Sequence, residues 1–338
     1  MGDYGTTAKV ATMALYGRHL VKRAQEGLFG ATLLPMLGNQ IPLPGHAGRE
    51  IFIPKDYPLN RIKALTEGTP IGVCPPSGHY YTGCVVGYGD ARGYGDFLVS
   101  IHEVPSMVSN DIATMSRYLG YKYDSLCRVQ LCAAGTWIAP DQTATQGGDT
   151  GVQSTTPITQ RFLFDASTTL ASNDAPTYSD GNYVGVFHPR QTHDLFVSTS
   201  AGSQLGKGLQ THGASSFLEL TESGVGKLER ASLGVLGRVR VLESTRNPMV
   251  YSADVATASI TGMDSGQSGY PAYVFGPGAF AAVDLENQRP KVFLKGFGSG
   301  GTYDPINQLS TAGIKGYFTA IAMDTANRLV RTASGKTL

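Results

Sequence analysis

Residues 109–134 read SNDIATMSRYLGYKYDSLCRVQLCAA, and their apolar positions recur every three or four residues. This periodicity predicts an amphipathic helix, because such positions share one face of an α-helix. Ser109 or Asn110 is suited to cap its start, and Gly135 is suited to end it. A helix of this length would extend about 35 Å, and we expect it to be the longest element of the fold. The predicted stripe comprises Ile112, Met115, Leu119, Leu126, Val129 and Ala133.

The residues before this helix predict a β-hairpin. Strand-forming residues flank GDARGY (89–94), which is a glycine-rich polar turn signal. We therefore predict paired strands around Tyr81–Val86 and Gly95–Ile101, with Asp90, Ala91 and Arg92 at the tip. A ribbon of this length is marginal by itself, so we expect it to project and to lie against another chain. The strand-rich stretches are REIFIPKDY (49–57), YYTGCVVGY (80–88) and GDFLVSI (95–101).

The first residues of the chain predict an arm with little core of its own. Residues 6–28 have near-helical apolar spacing, with Arg18, Lys22 and Arg23 on a basic face. The next stretch, LPMLGNQIPLPGHAG (34–48), is rich in proline and glycine and is expected to be extended and irregular. Such an arm requires a surface to lie against.

Downstream of the long helix, the sequence predicts helices and strands in mixed order. We expect a helix at 158–172, a buried strand in NYVGVFH (182–188), a helix that begins at Pro189, and one half-buried strand in VLGRVRVLES (235–244). This mixture indicates the α+β class. Further strands are expected in YVFGPGAFAAVDL (273–285), KVFLKGF (291–297), GYFTAIAMD (316–324) and RLVRT (328–332).

Composition and charge argue against several functional classes. Charged residues make up 16% of the 338 residues, whereas about 25% is typical of soluble chains. Lys plus Arg number 27 and Asp plus Glu 26, for a net charge of +1, so we expect no membrane partner and only weak, non-specific contact with DNA. Sparse charge disfavours a lone soluble monomer. We therefore expect much of the surface to be buried in an assembly.

The four cysteines do not form a recognisable metal or redox motif. Cys74 and Cys84 are ten residues apart, and Cys127 and Cys132 are five apart, which fits neither zinc-ligand pairs nor a dithiol motif. Residues five apart on a helix point to different faces, so the latter two cannot bridge each other. We expect free thiols that are dispensable for folding.

One histidine pair is a candidate metal or catalytic site. His188 and His193 flank a predicted helix start, and Asp194 is adjacent, but the spacing of five does not suit two ligands on one helical face and no third ligand is evident. A structural role is favoured over a metal site. No acid–base pair or nucleophile motif can be nominated, so we expect no metal, cofactor or catalytic residue, which favours a structural protein.

Seven segments of the sequence, taken in their order along the chain, resemble a known family. They are ALTEGTPIG (64–72), GYGDFLVSI (93–101), SNDIATMSRYLGYKYDSLCRVQL (109–131), GNYVGVFHPRQTHDL (181–195), LGVLGRVRVLES (233–244), VFGPGAFAAVDL (274–285) and YDPINQLSTAGIKGYFTAIAMD (303–324). In this order they resemble the major capsid proteins of tailed bacteriophages, which have the Hong Kong 97-type fold, and within them the N-four-type branch.

The resemblance implies a division of the chain. Residues 1–48 would be an N-terminal arm, 49–103 an extended loop over a neighbouring subunit, and 104–139 the spine helix of a peripheral domain. Residues 140–285 would approximate an axial domain, and 286–338 would return to the periphery. The residues expected at inter-subunit contacts are Gly87, Gly89, Asp90, Arg92, Gly93 and Gly95 of the loop tip, and Arg18, Lys22 and Arg23 of the arm.

The resemblance also implies partners and a location. The chain would form pentamers and hexamers of an icosahedral shell in the virion, assembled in the cytoplasm of the bacterial host. A separate scaffolding protein, a portal, a possible decoration protein and packaged double-stranded DNA would be its partners. Two alternatives remain at this point: the shell of an encapsulin-type nanocompartment, and, more distantly, a hydrolase that uses His188, His193 and Asp194.

Overall fold

The computed structural model of the chain describes most of the central and C-terminal residues. The residues expected on the basic face of the arm, the cysteine Cys74 and the segment 96–101 of the predicted hairpin lie outside the described residues. The described ranges are 33–44, 48–56, 67, 78–95, 104–140, 156–197, 232–245, 250–251, 268–285, 291–297, 306 and 308–334.

Five helices and fourteen strands occur in the described ranges. The helices are α1 (Leu34–Leu37), α2 (Val104–Ala133), α3 (Gln160–Ser172), α4 (Pro189–Val197) and α5 (Thr325–Arg328). The strands are β1 (Asn39–Leu43), β2 (Glu50–Asp56), β3 (Gly78–Cys84), β4 (Val86–Gly95), β5 (Thr136–Trp137), β6 (Tyr183–Phe187), β7 (Ser232–Leu236), β8 (Val239–Glu243), β9 (Val250–Tyr251), β10 (Ser268–Phe275), β11 (Phe280–Leu285), β12 (Lys291–Lys295), β13 (Leu309–Ala322) and β14 (Leu329–Ser334).

The long helix α2 confirms the strongest sequence prediction. Its stripe residues Ile112, Met115 and Leu119 are buried against strand β13, whereas Ala133, which was predicted in the same stripe, is exposed. The helix begins at Val104, so the prediction that Ser109 or Asn110 caps it was wrong. Pro105 is tolerated in the first turn because no intrahelical N–H bond is needed there. Gly135, with φ of +97°, lies just beyond the end, where glycine avoids the strain of a left-handed backbone.

A five-stranded sheet carries α2 on one face. Strand β13 is its centre: β11 and β12 lie in line along one edge of β13, while β4 pairs with the other edge over its full ten residues. Strand β1 adds to β11 in parallel. Alternate residues of β13, such as Ala312, Ile314 and Phe318, point towards α2 and are buried.

A seven-stranded sheet packs beside it. Its order is β5-β14-β10-β6-β8-β7, and β9 pairs with β10. Helix α3 covers one face with Phe162, Leu163 and Leu170, which are buried. On the other face, Tyr273 and Phe275 meet the C-terminal half of α2 and join the two sheets through one core. The predicted helix at 158–172, the buried strand at 182–188 and the helix at Pro189 are all confirmed.

Residues 235–244 do not form the single strand that was predicted. They contribute to β7 and β8, which pair antiparallel around a turn at Gly237 and Arg238. Both turn residues have positive φ values, +57° and +64°, which is the backbone of a two-residue hairpin turn. The alternation of apolar residues continued through this turn and concealed it.

The predicted hairpin tip was also wrong. Residues 86–95 form the continuous strand β4, and in this region it is β2 that pairs antiparallel with β3. Three contacts explain this. An added Cβ at Gly89 would lie 2.7 Å from the carbonyl oxygen of Ile314, so the glycine permits close strand pairing. Arg92 forms an ion pair with Asp111 of α2. Tyr94 is only 3% exposed. The six misplaced tip residues are Gly87, Gly89, Asp90, Arg92, Gly93 and Gly95.

The predicted boundary at residue 285 does not separate the strands of one sheet from those of the other. Strand β11 (280–285) belongs to the five-stranded sheet with α2, whereas the late strand β14 returns to the seven-stranded sheet. The chain therefore crosses between the sheets twice near its C-terminus. Which sheet is peripheral and which is axial stays a prediction.

Candidate assembly surfaces

The β2–β3 ribbon has one buried and one exposed face. Side chains alternate along paired strands, so Ile51, Ile53 and Tyr81 point towards the five-stranded sheet and pack on its core. Phe52 and Tyr80 point away, with 58% and 66% of their surface exposed. We call the solvent side the outer hairpin face; it comprises Phe52, Pro54, Tyr80 and Thr82.

The ribbon is fixed to its own subunit. The Lys55 Nζ donates to Asp324 Oδ1 at 2.7 Å, and this hydrogen bond raises the pKa of Lys55 above its usual value. Gly83 lies against Ile321, whose Cδ1 would be 2.4 Å from an added Cβ. The described part of the ribbon therefore presents the outer hairpin face from a supported position. This differs from the free projection that the sequence predicted.

A second exposed surface lies on the side of the five-stranded sheet opposite α2. Phe293 and Leu309 are 50% and 49% exposed there. Lys291 lies directly opposite Lys315 across β12 and β13, and Lys295 follows on the same face by alternation. We call this surface the open sheet face; it comprises Lys291, Phe293, Lys295, Leu309 and Lys315. Like charges placed opposite each other are unfavourable without a partner.

The residues predicted at the loop tip divide between the two faces of the sheet. Tyr88 and Tyr94 belong to the core under α2, so the even-numbered residues Asp90 and Arg92 alternate to the helix side. Gly87, Gly89, Gly93 and Gly95 alternate to the other side, beside the open sheet face. Whether any of them contacts a neighbouring subunit stays a prediction.

His188 and His193, just before the start and in the middle of helix α4, make contacts with neighbouring side chains and backbone. The His188 ring stacks on Tyr270 with centroids 4.2 Å apart, and its Nδ1 accepts the backbone N–H of Arg190 at 3.2 Å. Burial, and secondarily Arg190, lowers the pKa of His188. His193 Nδ1 is 3.7 Å from Asp194 Oδ1. Within the described ranges, no group of three or more His, Cys, Asp or Glu residues could hold a metal ion.

The described cysteines are free thiols with different surroundings. Cys84 is exposed, whereas Cys127 and Cys132 are buried in α2. The Cys132 Sγ is 2.7 Å from the hydroxyl oxygen of Tyr273. Burial raises the pKa of both groups, so both are neutral at pH 7 and one donates to the other. The expectation that the thiols are dispensable for folding stays a prediction, and because Cys132 has a buried hydrogen-bond partner, its replacement should lower stability.

Replacing Cys132 with Ala is expected to destabilise the subunit by about 1–3 kcal/mol, because the buried Tyr273 hydroxyl loses this hydrogen-bond partner. Cys132→Ser retains a partner and is expected to cost less. The free energy of unfolding in urea measures both effects, and Cys84→Ala at an exposed position is the control. Equal stability of Cys132→Ala and Cys84→Ala would show that the contact is unimportant.

Sequence reasoning missed the aromatic residues of both exposed surfaces. Phe52 and Tyr80 were placed in strand-rich stretches, but no partner strand or buried face was assigned to them. The alternation in REIFIPKDY between Ile51, Phe52 and Ile53 was a usable signal. Phe293 gave no comparable signal, because it lies between Val292 and Leu294 and the apolar residues there do not alternate with polar ones.

None of the helices in the described part of the chain combines the length and hydropathy that a membrane span requires. No protein-family model matches the sequence. No curated protein sequence matches it either.

Solved phage capsid structures share the fold. The capsid of Ralstonia phage GP4 aligns with a TM-score of 0.65 at 11% identity, over 88% of this chain and 86% of the other. The capsid of cyanophage P-SCSP1u aligns with a TM-score of 0.60 at 13% identity, over 90% and 89%. The cyanophage Pam1 capsid gives 0.60 at 15% identity, over 89% and 90%. The fold is the α+β fold of Hong Kong 97-like phage capsid proteins, as the sequence resemblance implied.

Proposed function

We propose that this protein is the major capsid protein of a tailed bacteriophage, a structural subunit that self-assembles into the icosahedral head around double-stranded DNA. The observation that carries the proposal is the shared fold, which extends over about nine-tenths of this chain and of the phage capsid chains it matches. The finer placement in the N-four-type branch is part of the proposal and rests on the sequence segments.

The two exposed surfaces support an assembling subunit. The outer hairpin face and the open sheet face present Phe52, Tyr80, Phe293 and Leu309 with about half or more of each side chain in solvent. Adjacent exposed aromatic and aliphatic side chains on supported strands are typical of protein interfaces. Burial against further copies of the chain would remove this apolar surface from water.

The domain roles follow from the proposal. Residues 1–48 would form the N-terminal arm and 49–103 the extended loop, of which the β2–β3 ribbon is the described base. Residues 104–139 would supply the spine helix. The ranges 140–285 and 286–338 would approximate the axial domain and the return to the periphery, with β11 and β14 exchanged between the two sheets as described above.

The partners belong to the same proposal. The subunits would form pentamers and hexamers of a shell, assembled in the cytoplasm of a bacterial host and retained in the virion. A separate scaffolding protein and a portal would join them, with a decoration protein as an optional further partner, and DNA contact would be non-specific. The subunit would have no catalytic or cofactor-dependent role.

Sedimentation velocity tests this proposal directly. Full-length protein expressed together with the scaffolding protein of its own genome is expected to sediment as pentamers, hexamers or closed shells. A compact monomer as the only species would contradict the proposal. The contents of isolated shells provide a further test, because enclosed enzyme rather than DNA would indicate a nanocompartment.

A further inference from the structure

The solvent side of the long helix α2 is basic and polar. Arg117, Tyr118 and Lys122 are exposed, with Tyr118 at 63%. Tyr121 meets Tyr118 edge to face, with centroids 5.7 Å apart. We call this side the helix arc; it comprises Thr114, Arg117, Tyr118, Tyr121, Lys122, Ser125 and Arg128.

The cations border the helix arc on both sides. With about 100° per residue, Arg117 and Arg128 lie within roughly 20° of each other around the helix, and Lys122 lies roughly 140° away. The Lys122 Nζ is held towards the sheet, 5.6 Å from the centroid of the Tyr88 ring. Tyr118, Tyr121 and Ser125 lie between these cations around the helix. From Arg117 to Arg128 the arc is about 16 Å long.

The carboxylates of α2 are already engaged elsewhere. Asp111 pairs with Arg92 and accepts the Tyr94 hydroxyl at 2.9 Å. Asp124 is buried and accepts the backbone N–H groups of Leu33 and Leu34 at 3.2 and 2.9 Å. Among the described residues, no carboxylate forms a salt bridge with the three cations of the arc. The described carboxylates therefore do not neutralise the charge of these three cations.

The chemistry of the helix arc favours nucleic acid over protein. Arginine, lysine, tyrosine and serine side chains are the usual donors to backbone phosphates. Tyrosine and arginine are also common in protein interfaces, but the arc differs from the open sheet face, where the cations adjoin the exposed apolar side chains of Phe293 and Leu309. The arc lacks an exposed aliphatic anchor among its members, while its cations are spread over a length that spans several phosphates.

We propose that the helix arc binds the phosphate backbone of double-stranded DNA without sequence preference. The inference rests on the proposed capsid function and adds to it, since it identifies the face of the subunit that points towards the packaged genome. The open sheet face, on the other side of the same sheet, would then point away from the DNA. The small net charge of the chain is compatible with this local concentration of cations.

Binding of a fluorescein-labelled 40-base-pair duplex to the full-length subunit tests the proposal. With three phosphates neutralised, the slope of log K against log salt concentration is expected to be about −2.7. The variant R117Q/K122Q/R128Q is expected to reduce this slope to near zero. K291Q/K295Q/K315Q removes the same charge from the open sheet face, and as a matched control it is expected to retain the slope and the affinity.

Three results would overturn the proposal. The first is loss of DNA binding in K291Q/K295Q/K315Q while R117Q/K122Q/R128Q still binds. The second is no measurable DNA binding by the wild type at 20 mM salt. The third is a strong preference for one duplex sequence over a scrambled duplex. Circular dichroism checks that both variants are folded. Shell formation by the wild type is measured separately, so that a failed capsid function is distinguished from a misplaced DNA contact.

Discussion

A subunit that lacks Gly89–Tyr94 is expected not to fold. The deletion removes the centre of β4, which pairs with β13 along its full length. It also removes the buried Tyr94 ring, whose loss alone costs about 3–5 kcal/mol, and the Arg92–Asp111 ion pair. Together these losses are comparable with the ~5–15 kcal/mol that stabilises a typical domain.

Circular dichroism and thermal melting of the purified deletion variant measure this effect. Ala91→Ser is a matched control, because it changes an exposed side chain of the same strand and is expected to leave the melting temperature nearly unchanged. A deletion variant with a native spectrum and a cooperative transition would show that β4 is peripheral to the fold. That was the outcome expected of a projecting tip.

Phe52→Ser combined with Tyr80→Ser is expected to abolish shell formation while the subunit stays folded. Both side chains are more than half exposed in the isolated subunit, so substitution should change its stability by only about 0.5 kcal/mol each. Buried aromatic anchors at interfaces are worth about 2–4 kcal/mol each, and the lost contact recurs at every subunit. Sedimentation of the co-expressed variant should show subunits or small oligomers.

Tyr118→Ser is the control for this pair. Tyr118 has similar exposure, 63%, but lies on the helix arc, and shells of normal mass are expected from its variant. Normal shells from the double variant would refute the assignment of the outer hairpin face to an interface. A double variant with a melting temperature many degrees lower would show that the two residues support the fold of the subunit instead.

Elements with strong local signals were predictable from the sequence. Helix α2 carries an apolar stripe over six turns, and β6 is an uninterrupted apolar run followed by a proline, so each could be placed from its own residues. The mixed order of helices and strands indicated the α+β class, and the order of the resembling segments indicated the capsid fold. None of these inferences required knowledge of which strands pair.

Pairing between distant strands could not be predicted. Strand β4 is glycine-rich and reads locally as a turn, yet β13, more than 200 residues later, accepts it as a partner. The glycines are explained by that partner, because Gly89 faces the carbonyl of Ile314 at close range. A local turn signal was overridden by a tertiary contact that the local pattern does not encode.

The candidate surfaces were predictable only in part. The sequence indicated an interface at residues 87–95, which stays a prediction, and it gave no indication that Phe52 and Tyr80 are exposed. The cations of α2 were not predicted to form a surface. Only the structure shows that the carboxylates of α2 face other partners, Asp111 beside Arg92 and Asp124 beneath α1, and that Lys122 lies over the Tyr88 ring.

Electron microscopy of the full-length protein, purified after co-expression with its scaffolding protein, tests shell assembly most directly. Closed isometric particles are the expected result, built from five- and six-fold clusters in which each subunit density accommodates the two sheets and helix α2. Fields that contain only single subunits or irregular aggregates, from protein with a native circular dichroism spectrum, would contradict the proposed capsid function.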